Sequence, residues 1–427
     1  MRSREERMKW FKEDRFGMFI HWGIYAVPAK GEWVQNHETI SRERYRTYFE
    51  EFDPVRYDAR AWAKAAKQAG MKYAVLTTKH HDGFCLFDSM LTEFKSTNTP
   101  CGRDLVREFV DAFRAEGLRV GFYYSLLDWN HEHYPTYGDF YHPERANEAY
   151  KDKEQNFDLY VDYLHGQVRE LLTNYGTIDL FWFDFSYESL IGEAWRATEL
   201  AKMVYELQPG ILMNNRLDHT LLKNGISTVY GGDFASPEQA IPTREVMSDI
   251  HGHPIEWEAC ITLNKHWGYH ATDTDYKQAK DIIRLLVDCV SKDGNLLVNV
   301  GPNAKGEIPK PVLDILAEIG QWMALNGFSI YGCRDTALPV PEWGRFTQKD
   351  GKLYAHLFER GMGAYPLKRL KGRIGRTRLL WDGAEVTSGE SHNDYHTKED
   401  AHILMSHSRL PDDNDTVIQI ELLGGSV

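Results

Sequence analysis

The residues best suited to chemistry stand where apolar segments of the sequence end, and the first of them is an aspartate. Asp184 lies inside Phe181–Phe185, an aromatic segment (FWFDF) that is typical of a buried strand. An ionised carboxylate is unfavourable in such surroundings unless a partner satisfies it. Alternate residues of a strand share a face, so Trp182 and Asp184 are expected on one side. The pattern indicates a functional carboxylate beside an aromatic wall, or a buried aspartate bound by a backbone N–H or an arginine.

Further carboxylates follow Asp184 along the chain. The candidates for a second acid are Asp233, Glu238, Glu256 and Glu258. In glycoside hydrolysis one carboxylate attacks the anomeric carbon or activates water, and the other protonates the leaving oxygen. Paired carboxylates with aromatic walls and no metal therefore suggest glycoside hydrolysis. Spacing alone leaves the identity of the second carboxylate open.

Histidines form the next set of candidates. His21 ends the first predicted strand, and His80 and His81 end the second. Adjacent strand residues point to opposite faces, so His80 and His81 do not form an HxH metal pair, although in a loop both can reach the hydroxyls of a ligand. The alternative is one core histidine and one loop histidine. Two HxH pairs, at positions 131 and 133 and at positions 251 and 253, lie in predicted loops without a completing carboxylate, which favours solvated histidines over a metal site.

Arg216 ends the fifth predicted strand, in the run Asn214-Asn215-Arg216. A guanidinium at a strand end can pair with a carboxylate or bind a sugar hydroxyl through its fork of N–H donors. A structural ion pair on the rim of the sheet is the alternative.

Alternating apolar and amphipathic segments, from about residue 16 to about residue 325, would position these side chains. The strands are nearly continuous apolar runs, as expected where both sheet faces are covered. About eight strands in series, mostly separated by helices, predict an α/β fold of the (β/α)8 TIM-like barrel type, with its site at the carboxyl ends of the strands. A doubly wound open sheet is the alternative, disfavoured because no glycine-rich phosphate loop follows a strand. The charged first residues are expected to lead straight into the first strand, at 16–23.

The pattern of apolar and polar residues changes after Cys333, from long apolar and amphipathic segments to short alternating stretches. Lys349-Asp350-Gly351-Lys352 and Asp382-Gly383 are hairpin signals between short alternating stretches. We therefore predict two domains, a catalytic barrel over residues 1–334 and a small antiparallel β-sandwich over residues 335–427.

Composition argues against several classes of partner. A formal net charge of −13 disfavours nucleic acid and anionic membrane surfaces. No apolar run reaches the length of about 18 residues that a spanning helix needs, and no apolar signal core follows the charged first residues. The five cysteines are odd in number and lack CxxC spacing, so neither a disulfide framework nor a zinc ribbon is expected. The prediction is a cytoplasmic protein without a metal or other cofactor.

Several motifs occur in order along the chain, and together they carry a resemblance. They are FGMFIHWG (16–23), GEW (31–33), TKHHDGF (78–84), YYS (123–125), WFD (182–184), NR (215–216), WE (257–258), WGY (267–269) and NLLVNVGP (295–302). The ordered set resembles the α-L-fucosidases of glycoside hydrolase family 29, from about residue 8 to about residue 335. The C-terminal part resembles the β-sandwich of that family only in position and texture.

The resemblance implies a retaining exo-α-L-fucosidase with no cofactor. Asp184 corresponds to the nucleophile, and Glu238 corresponds to the acid/base residue in a segment like Asp-Phe-x-x-x-Glu. Asp233 and Glu258 are the alternatives for the acid/base role, in that order. A retaining mechanism predicts about 5–5.5 Å between the two catalytic carboxyl groups rather than about 6.5–9.5 Å. The fucose-binding residues of the family carry over to His21, Glu32, Trp33, His80, His81, Tyr123, Trp182, Arg216 and Trp267.

Two positions depart from the family pattern. Val34 stands where a tyrosine often follows Glu-Trp, and Phe183 stands where small or polar residues also occur. Both changes are expected to alter the rim of the pocket without removing the chemistry.

Two other classes of protein stay open from the residues alone. A metal-dependent barrel hydrolase would use His80, His81 and the HxH pairs. A catalytically inactive carbohydrate-binding protein would keep the aromatic pocket and lack a carboxylate. The sequence determines neither the fucosyl linkage nor the natural glycan. The oligomeric state also stays open, with a homo-oligomer among the alternatives.

Overall fold

A seven-stranded parallel sheet forms the first part of the chain. The structure is a computed structural model that describes residues 3–217, 231–243, 254–361, 363–389, 398–405 and 409–425. The strands are β1 Phe16–Ile20, β2 Tyr73–Lys79, β3 Arg119–Ser125, β4 Leu180–Asp184, β5 Leu212–Met213, β6 Glu258–Thr262 and β7 Asn295–Val300. They lie in the order β5-β4-β3-β2-β1-β7-β6, and all neighbouring pairs are parallel.

Helices separate most of these strands, as the alternating pattern predicts. The longer ones are Ala59–Gln68, Leu105–Ala115, Phe157–Asn174, Ala197–Leu207, Ala279–Val290 and Lys310–Asn326. Shorter helices span Val34–His37, Arg42–Tyr45 and Thr47–Glu51, and 3₁₀ turns span Ile24–Ala26, Ser96–Asn98, Glu148–Tyr150, Gly192–Trp195 and Gly327–Ser329. Because helices cover the outer face of the sheet, β1 and β2 are buried throughout.

The sheet curls, so that side chains from distant strands meet on its inner face. Phe19 of β1, Tyr123 of β3, Trp182 of β4 and Leu297 of β7 belong to one buried cluster. The indole N–H of Trp182 donates to Glu258 of β6 at 3.1 Å. β4 and β6 lie at nearly opposite ends of the strand order, so only a strongly curled sheet brings them into contact.

The segment after β5 departs from the sequence prediction. A regular strand was expected at 228–235, of which positions 228–230 fall outside the described residues. From residue 231 onward the chain makes isolated parallel bridges instead, from Phe234 to Asn214 next to β5 and from Ala235 to Trp257 next to β6. A further parallel bridge joins Glu238 to Cys260. The segment therefore lies between the two edge strands of the sheet.

The prediction that the first residues lead straight into β1 is wrong. Helix α1, Arg4–Asp14, precedes the strand and begins with a capping box in which Ser3 and Glu6 satisfy each other's backbone N–H groups. Its buried face inserts Phe11 among the inner side chains, where the Phe11 ring lies 4.8 Å from that of Phe234. Asn295, at the start of β7, donates to the carbonyl of Phe11 at 2.8 Å. Helix α1 thus covers the amino end of the sheet, opposite the strand ends that carry the candidate site.

Two antiparallel sheets form the C-terminal part. Their strands are β8 Gly344–Lys349, β9 Lys352–Leu357, β10 Tyr365–Leu367, β11 Ile374–Leu379, β12 Thr387–Gly389, β13 Ala401–Leu404 and β14 Thr416–Leu422. One sheet has the order β11-β14-β9-β8 and the other β10-β13-β12. The hairpin predicted at Asp350-Gly351 is confirmed: both residues have positive φ, 49° and 72°, as a two-residue hairpin turn requires.

The C-terminal part has a hydrophobic core of its own. Phe346 and Leu353 from the four-stranded sheet pack in one cluster with Tyr365 and Ile403 from the three-stranded sheet. The larger cluster belongs to the parallel sheet and its helices. Within the described ranges, no helix combines the length and the apolar character needed to cross a membrane.

Candidate active site

The polar residues that stand out in the sequence meet at the carboxyl ends of the parallel strands. One pocket there contains both candidate catalytic residues and all nine candidate sugar-binding residues. Its lining consists of Phe19, His21, Glu32, Trp33, His80, His81, Tyr123, Trp182, Asp184, Phe185, Arg216, Glu238, Cys260 and Trp267. Ligand sites of parallel α/β architectures lie at this end of the strands.

Arg216 joins the two carboxylates of the pocket. Its Nη1 lies 2.9 Å from an oxygen of Asp184 and 3.0 Å from an oxygen of Glu238. Because one guanidinium nitrogen contacts both groups, an oxygen of Asp184 and an oxygen of Glu238 lie on the same side of the pocket, as a pair of carboxylates that acts on one glycosidic bond requires.

The two carboxylates differ in exposure and in partners. The side chain of Asp184 is 14% exposed, whereas that of Glu238 is 43% exposed. Asp184 also accepts a hydrogen bond of 2.8 Å from the hydroxyl of Tyr123. Burial alone would raise the pKa of Asp184, but the charge and hydrogen bond of Arg216, with the bond from Tyr123, lower that pKa below its ordinary value. Asp184 is therefore held as a carboxylate, the form that a nucleophile needs.

Arg216 is itself fixed by its neighbours. Its Nε donates to the hydroxyl of Ser236 and its Nη2 to the carbonyl of Ser236, each at 3.0 Å. The guanidinium lies over the ring of Trp182, 4.9 Å from the centroid. Although burial opposes the charge, the nearby carboxylates, Asp184 foremost, raise the pKa of Arg216. The structure therefore favours the interpretation in which Arg216 pairs with the carboxylates of the pocket over the alternative, a structural ion pair on the rim of the sheet.

Three histidines line the pocket. The rings of His80 and His81 lie 3.9 Å apart between centroids, and His21 lies 5.7 Å from His80. Burial lowers the pKa of His21 to about 3 and the pKa values of the other two well below the ordinary value. Each ring is therefore neutral and has one donor and one acceptor nitrogen. Both members of the adjacent pair reach the pocket, as expected for a strand that ends in a loop.

Glu32 and the two pocket tryptophans come from loops that follow β1 and β6. Glu32 accepts the backbone N–H of Gly268 at 2.8 Å, which ties the two loops together. Burial raises the pKa of Glu32, against the opposing effect of that hydrogen bond. Trp267 lies beside His21, with ring centroids 4.9 Å apart, and Trp33 supplies a further wall. The pocket thus places flat apolar surfaces next to polar groups, as a sugar ring requires.

Asp233, an alternative acid, lies outside the pocket. It is buried beside helix α1, where it pairs with Arg7. It also accepts the hydroxyl of Tyr205 and the backbone N–H of Met213, each at 3.0 Å. Its oxygens are therefore occupied by protein donors at the amino end of the sheet.

Glu258, the other alternative, lies in the sheet interior beneath the pocket. It accepts the indole N–H of Trp182 at 3.1 Å and the hydroxyl of Tyr73. Burial raises the pKa of Glu258 to about 7. Because Glu238 faces the pocket and these two alternatives do not, the geometry favours Glu238 as the partner of Asp184.

The HxH pairs proposed from the sequence do not complete a metal site in the part of the chain that the structure describes. His131 and His133 lie in a turn, in which the backbone N–H of His133 donates to Nδ1 of His131 at 3.2 Å. His251 and His253 fall outside the described residues. Among the residues that the structure describes, no group of three or more His, Cys, Asp or Glu side chains is arranged to hold a metal ion.

Sequence reasoning missed three pocket residues, Phe19, Phe185 and Cys260. Strand alternation would send Phe185 to the face opposite Asp184, but its φ of 79° breaks the alternation and the ring lines the pocket. Cys260 lies on the inner face together with Glu258, two residues earlier. That alternation was available in the sequence as a signal for Cys260, whereas nothing local signals the backbone of Phe185.

Known proteins are similar to this chain in sequence and in overall structure. The profile of the family described as α-L-fucosidase matches residues 1–328. An α-L-fucosidase of Dictyostelium discoideum is 30% identical over 382 residues, which is 82% of this chain and 77% of that protein. α-L-Fucosidase isoenzyme 1 from Paenibacillus thiaminolyticus superposes with a TM-score of 0.95 at 59% identity, covering 98% of this chain and 99% of that chain.

A second solved structure is similar to this chain at lower sequence identity. The GH29 α-L-fucosidase from Bacteroides thetaiotaomicron, a trapped covalent intermediate in complex with 2-fluoro-fucosyl fluoride, has a TM-score of 0.83 at 28% identity. The superposition covers 98% of this chain and 96% of that chain. With a family profile that spans the whole parallel sheet, the chain belongs to the α-L-fucosidase family, glycoside hydrolase family 29.

Proposed function

We propose that the protein is a retaining exo-α-L-fucosidase in which Asp184 is the nucleophile and Glu238 the acid/base residue. Family membership supports the substrate class, and the relative that was trapped as a covalent intermediate supports a double displacement. The observation that carries the assignment of residues is the contact of one Arg216 nitrogen with both carboxylates.

In the first step, Asp184 attacks the anomeric carbon of fucose from the face opposite the leaving oxygen. The bond to the leaving oxygen breaks as Glu238 gives that oxygen its proton, and a fucosyl ester of Asp184 forms with inverted anomeric configuration. Arg216 and Tyr123 hold the attacking carboxylate before the reaction. Because both lower the pKa of Asp184, the nucleophile is an anion when the substrate arrives.

In the second step, water replaces the enzyme at the anomeric carbon. Glu238, now ionised, takes a proton from the water as its oxygen attacks, the ester bond breaks, and α-L-fucose leaves. Glu238 is then protonated and Asp184 is again a carboxylate. The higher exposure of Glu238, 43% of its side chain, suits a residue that must meet both the leaving group and water.

The proposed occupant of the pocket is one terminal 6-deoxy sugar. Trp182 or Trp267 would line the methyl group and the apolar face of the ring, since both indoles border the pocket. The three neutral histidines, with Glu32 and Arg216, would bind the hydroxyls. Such bonds give specificity because a wrong epimer leaves a buried polar group unpaired.

The same proposal includes a closed (β/α)8 barrel in which residues 231–238 are the strand between β5 and β6. The isolated parallel bridges on both sides of that segment support this closure. The shared core of the two C-terminal sheets supports a β-sandwich, with the domain boundary between residues 334 and 335.

The five cysteines, all within the described ranges and all free, support the proposed cytoplasmic setting.

Proton NMR during hydrolysis of 4-nitrophenyl α-L-fucoside tests this mechanism. The α-anomer of fucose is expected as the first product, and the β-anomer as first product would replace the retaining mechanism by an inverting one. Comparable or better activity on the α-D-galactoside would overturn the fucose assignment. Treatment with a chelator is expected to leave the rate unchanged, because neither proposed step uses a metal.

A further inference from the structure

Asn299 belongs to the motif NLLVNVGP (295–302), and the proposed mechanism gives it no role. It is buried near the end of β7 and is not part of the pocket lining. Its side chain nevertheless contacts two residues that are. The amide oxygen lies 2.7 Å from Nδ1 of His21, and the amide nitrogen donates to the carbonyl of Trp267 at 2.7 Å.

The orientation of this amide determines where His21 carries its hydrogen. A carbonyl oxygen can only accept, so the contact with Trp267 requires the NH2 group of Asn299 on that side. The oxygen of Asn299 therefore faces His21 and, as an acceptor, requires a hydrogen on Nδ1. Burial lowers the pKa of His21 to about 3, so the ring is neutral and has only that one hydrogen. Nε2 is left with a free lone pair.

Nε2 of His21 has no protein partner in the part of the chain that the structure describes, and the ring lines the pocket. An acceptor in this position requires a donor from the ligand, and sugar hydroxyls are donors. We propose that Asn299 is a positioning residue that makes His21 an obligatory hydrogen-bond acceptor for one ring hydroxyl of the sugar. This inference rests on the proposed function, because it requires a sugar in the pocket.

The side-chain amide of Asn299 contacts a polar residue of the pocket, His21, and an apolar one, Trp267. Trp267, whose carbonyl Asn299 holds, lies 4.9 Å from His21 between ring centroids. The following residue, Gly268, donates its N–H to Glu32 at 2.8 Å, so the peptide is held on both sides. A change at Asn299 should therefore alter the recognition of one hydroxyl, while the carboxylates at Asp184 and Glu238 keep their contacts with Arg216.

Replacing a sugar hydroxyl by fluorine tests the requirement for a donor, because fluorine is small and cannot donate a hydrogen bond. The values of kcat/KM are compared for 4-nitrophenyl α-L-fucoside and for its 2-deoxy-2-fluoro, 3-deoxy-3-fluoro and 4-deoxy-4-fluoro derivatives. At the position that meets His21, fluorine is expected to lower kcat/KM of the unmodified enzyme at least about a hundredfold, since a buried acceptor is left unpaired. The inductive effect of fluorine on the reaction acts on every variant alike and cancels between them.

Three variants separate positioning from mere stability. Asn299→Leu removes the acceptor from Nδ1 and is expected to shrink the fluorine penalty at least about tenfold. Asn299→Asp keeps an oxygen beside Nδ1 and should retain most of the penalty. The matched control is Asn295→Leu on the same strand, whose buried amide donates to the carbonyl of Phe11 at 2.8 Å. The control is expected to lose stability and to keep the full penalty.

The possible outcomes are distinct. An equal fluorine penalty in the unmodified enzyme and in Asn299→Leu overturns the inference, as does an enzyme that tolerates fluorine at all three positions. Should Asn299→Leu fail to fold by circular dichroism, the smaller Asn299→Ser carries the same expectation. An enzyme that does not hydrolyse the unsubstituted fucoside at all overturns the proposed function, and the inference with it, before any fluorinated substrate is used.

Discussion

Two clusters of arginine and carboxylate lie at opposite ends of the parallel sheet, and they differ in how fully the protein satisfies the carboxylate. At the amino end, Asp233 pairs with Arg7 and accepts two further hydrogen bonds from protein groups. At the carboxyl end, Glu238 contacts Arg216 and leaves 43% of its side chain exposed. A carboxylate saturated by protein donors stabilises the fold, whereas one with free oxygens can exchange protons with a ligand.

Glu258 lies between these two extremes. It is fully buried like Asp233, yet its described partners are two neutral donors, Tyr73 and Trp182, instead of a cation. Without a nearby positive charge, burial raises its pKa to about 7. From this comparison we expect three different effects from three acidic residues: the proposed acid/base role for Glu238, stability for Asp233, and pH-dependent stability for Glu258.

The largest effect is expected at Asp184, the proposed nucleophile. Asp184→Gly should lower kcat by about 10⁴-fold or more on every substrate, because no other group can form the ester. Added azide should restore turnover by entering the space of the lost carboxylate and should give β-fucosyl azide, identified by NMR. Unrescued loss of activity together with loss of folding would mean that Asp184 serves the structure instead of the reaction.

Glu238→Ala should show the next largest effect, and one that depends on the leaving group. Poor leaving groups, as in natural glycans, should lose about 10²–10⁴-fold in kcat/KM because they need protonation. Fucosyl-enzyme formation from substrates with good leaving groups should survive, and azide should give the α-azide with retention. Steady-state and burst kinetics on a series of aryl fucosides measure this dependence.

The same series on Asp233→Ala and Glu258→Ala is the direct control for the comparison. Neither variant is expected to show a steeper dependence on the leaving group than the unmodified enzyme. If either variant gives the α-azide while Glu238→Ala does not, the acid/base role moves to that residue and only the assignment of Asp184 stands.

The sequence predicts the position of a pocket residue where that residue directly follows an apolar strand. Asp184, Arg216 and the adjacent histidines follow apolar strands, so the parallel-sheet rule alone brings them to one end of the molecule. Helix α1 was missed because its apolar residues, such as Met8 and Phe11, are few within a charged segment. Its signal was a capping box at Ser3 rather than a hydrophobic stripe.

The choice between Asp233 and Glu238 exceeded what the sequence can supply. The two residues are five positions apart on one segment, so spacing does not distinguish them as partners of Asp184. What separates them is Arg7, which is distant in sequence and lies on the helix that was not predicted. Partners that are distant in sequence are brought together by tertiary packing, and local sequence patterns do not predict such contacts.

Asp233→Ala should reduce the free energy of unfolding by about 3–5 kcal/mol, because it removes a buried carboxylate that pairs with Arg7 and accepts from Tyr205 and Met213. Urea denaturation measures the change, and kcat/KM at a temperature where the variant is folded should stay within a few-fold of the unmodified enzyme. Replacing both partners, as Arg7→Met with Asp233→Leu, should recover part of the stability. A large loss of kcat/KM in a folded Asp233 variant would contradict the contrast between the two ends of the sheet.

The smallest expected effect is the pH dependence that Glu258 adds to stability. Its pKa is about 7 in the folded protein, against an ordinary value of 4.5. Below pH 4.5 the group is protonated in both the folded and the unfolded chain, so it adds no dependence there. Between pH 4.5 and 7 the unfolded chain releases the proton first, which lowers the free energy of unfolding as the pH rises.

Glu258→Gln removes this titration while keeping a side chain of the same shape. The difference in free energy of unfolding between the variant and the unmodified protein should therefore shift in favour of the variant by about 3 kcal/mol from pH 4.5 to pH 7. Urea denaturation of both proteins at several pH values, at constant ionic strength, isolates the effect because the other titrations cancel in the difference. A difference that does not change with pH would mean that Glu258 is ionised in the folded protein, with Tyr73 and Trp182 stabilising a charge as effectively as Arg7 does at Asp233.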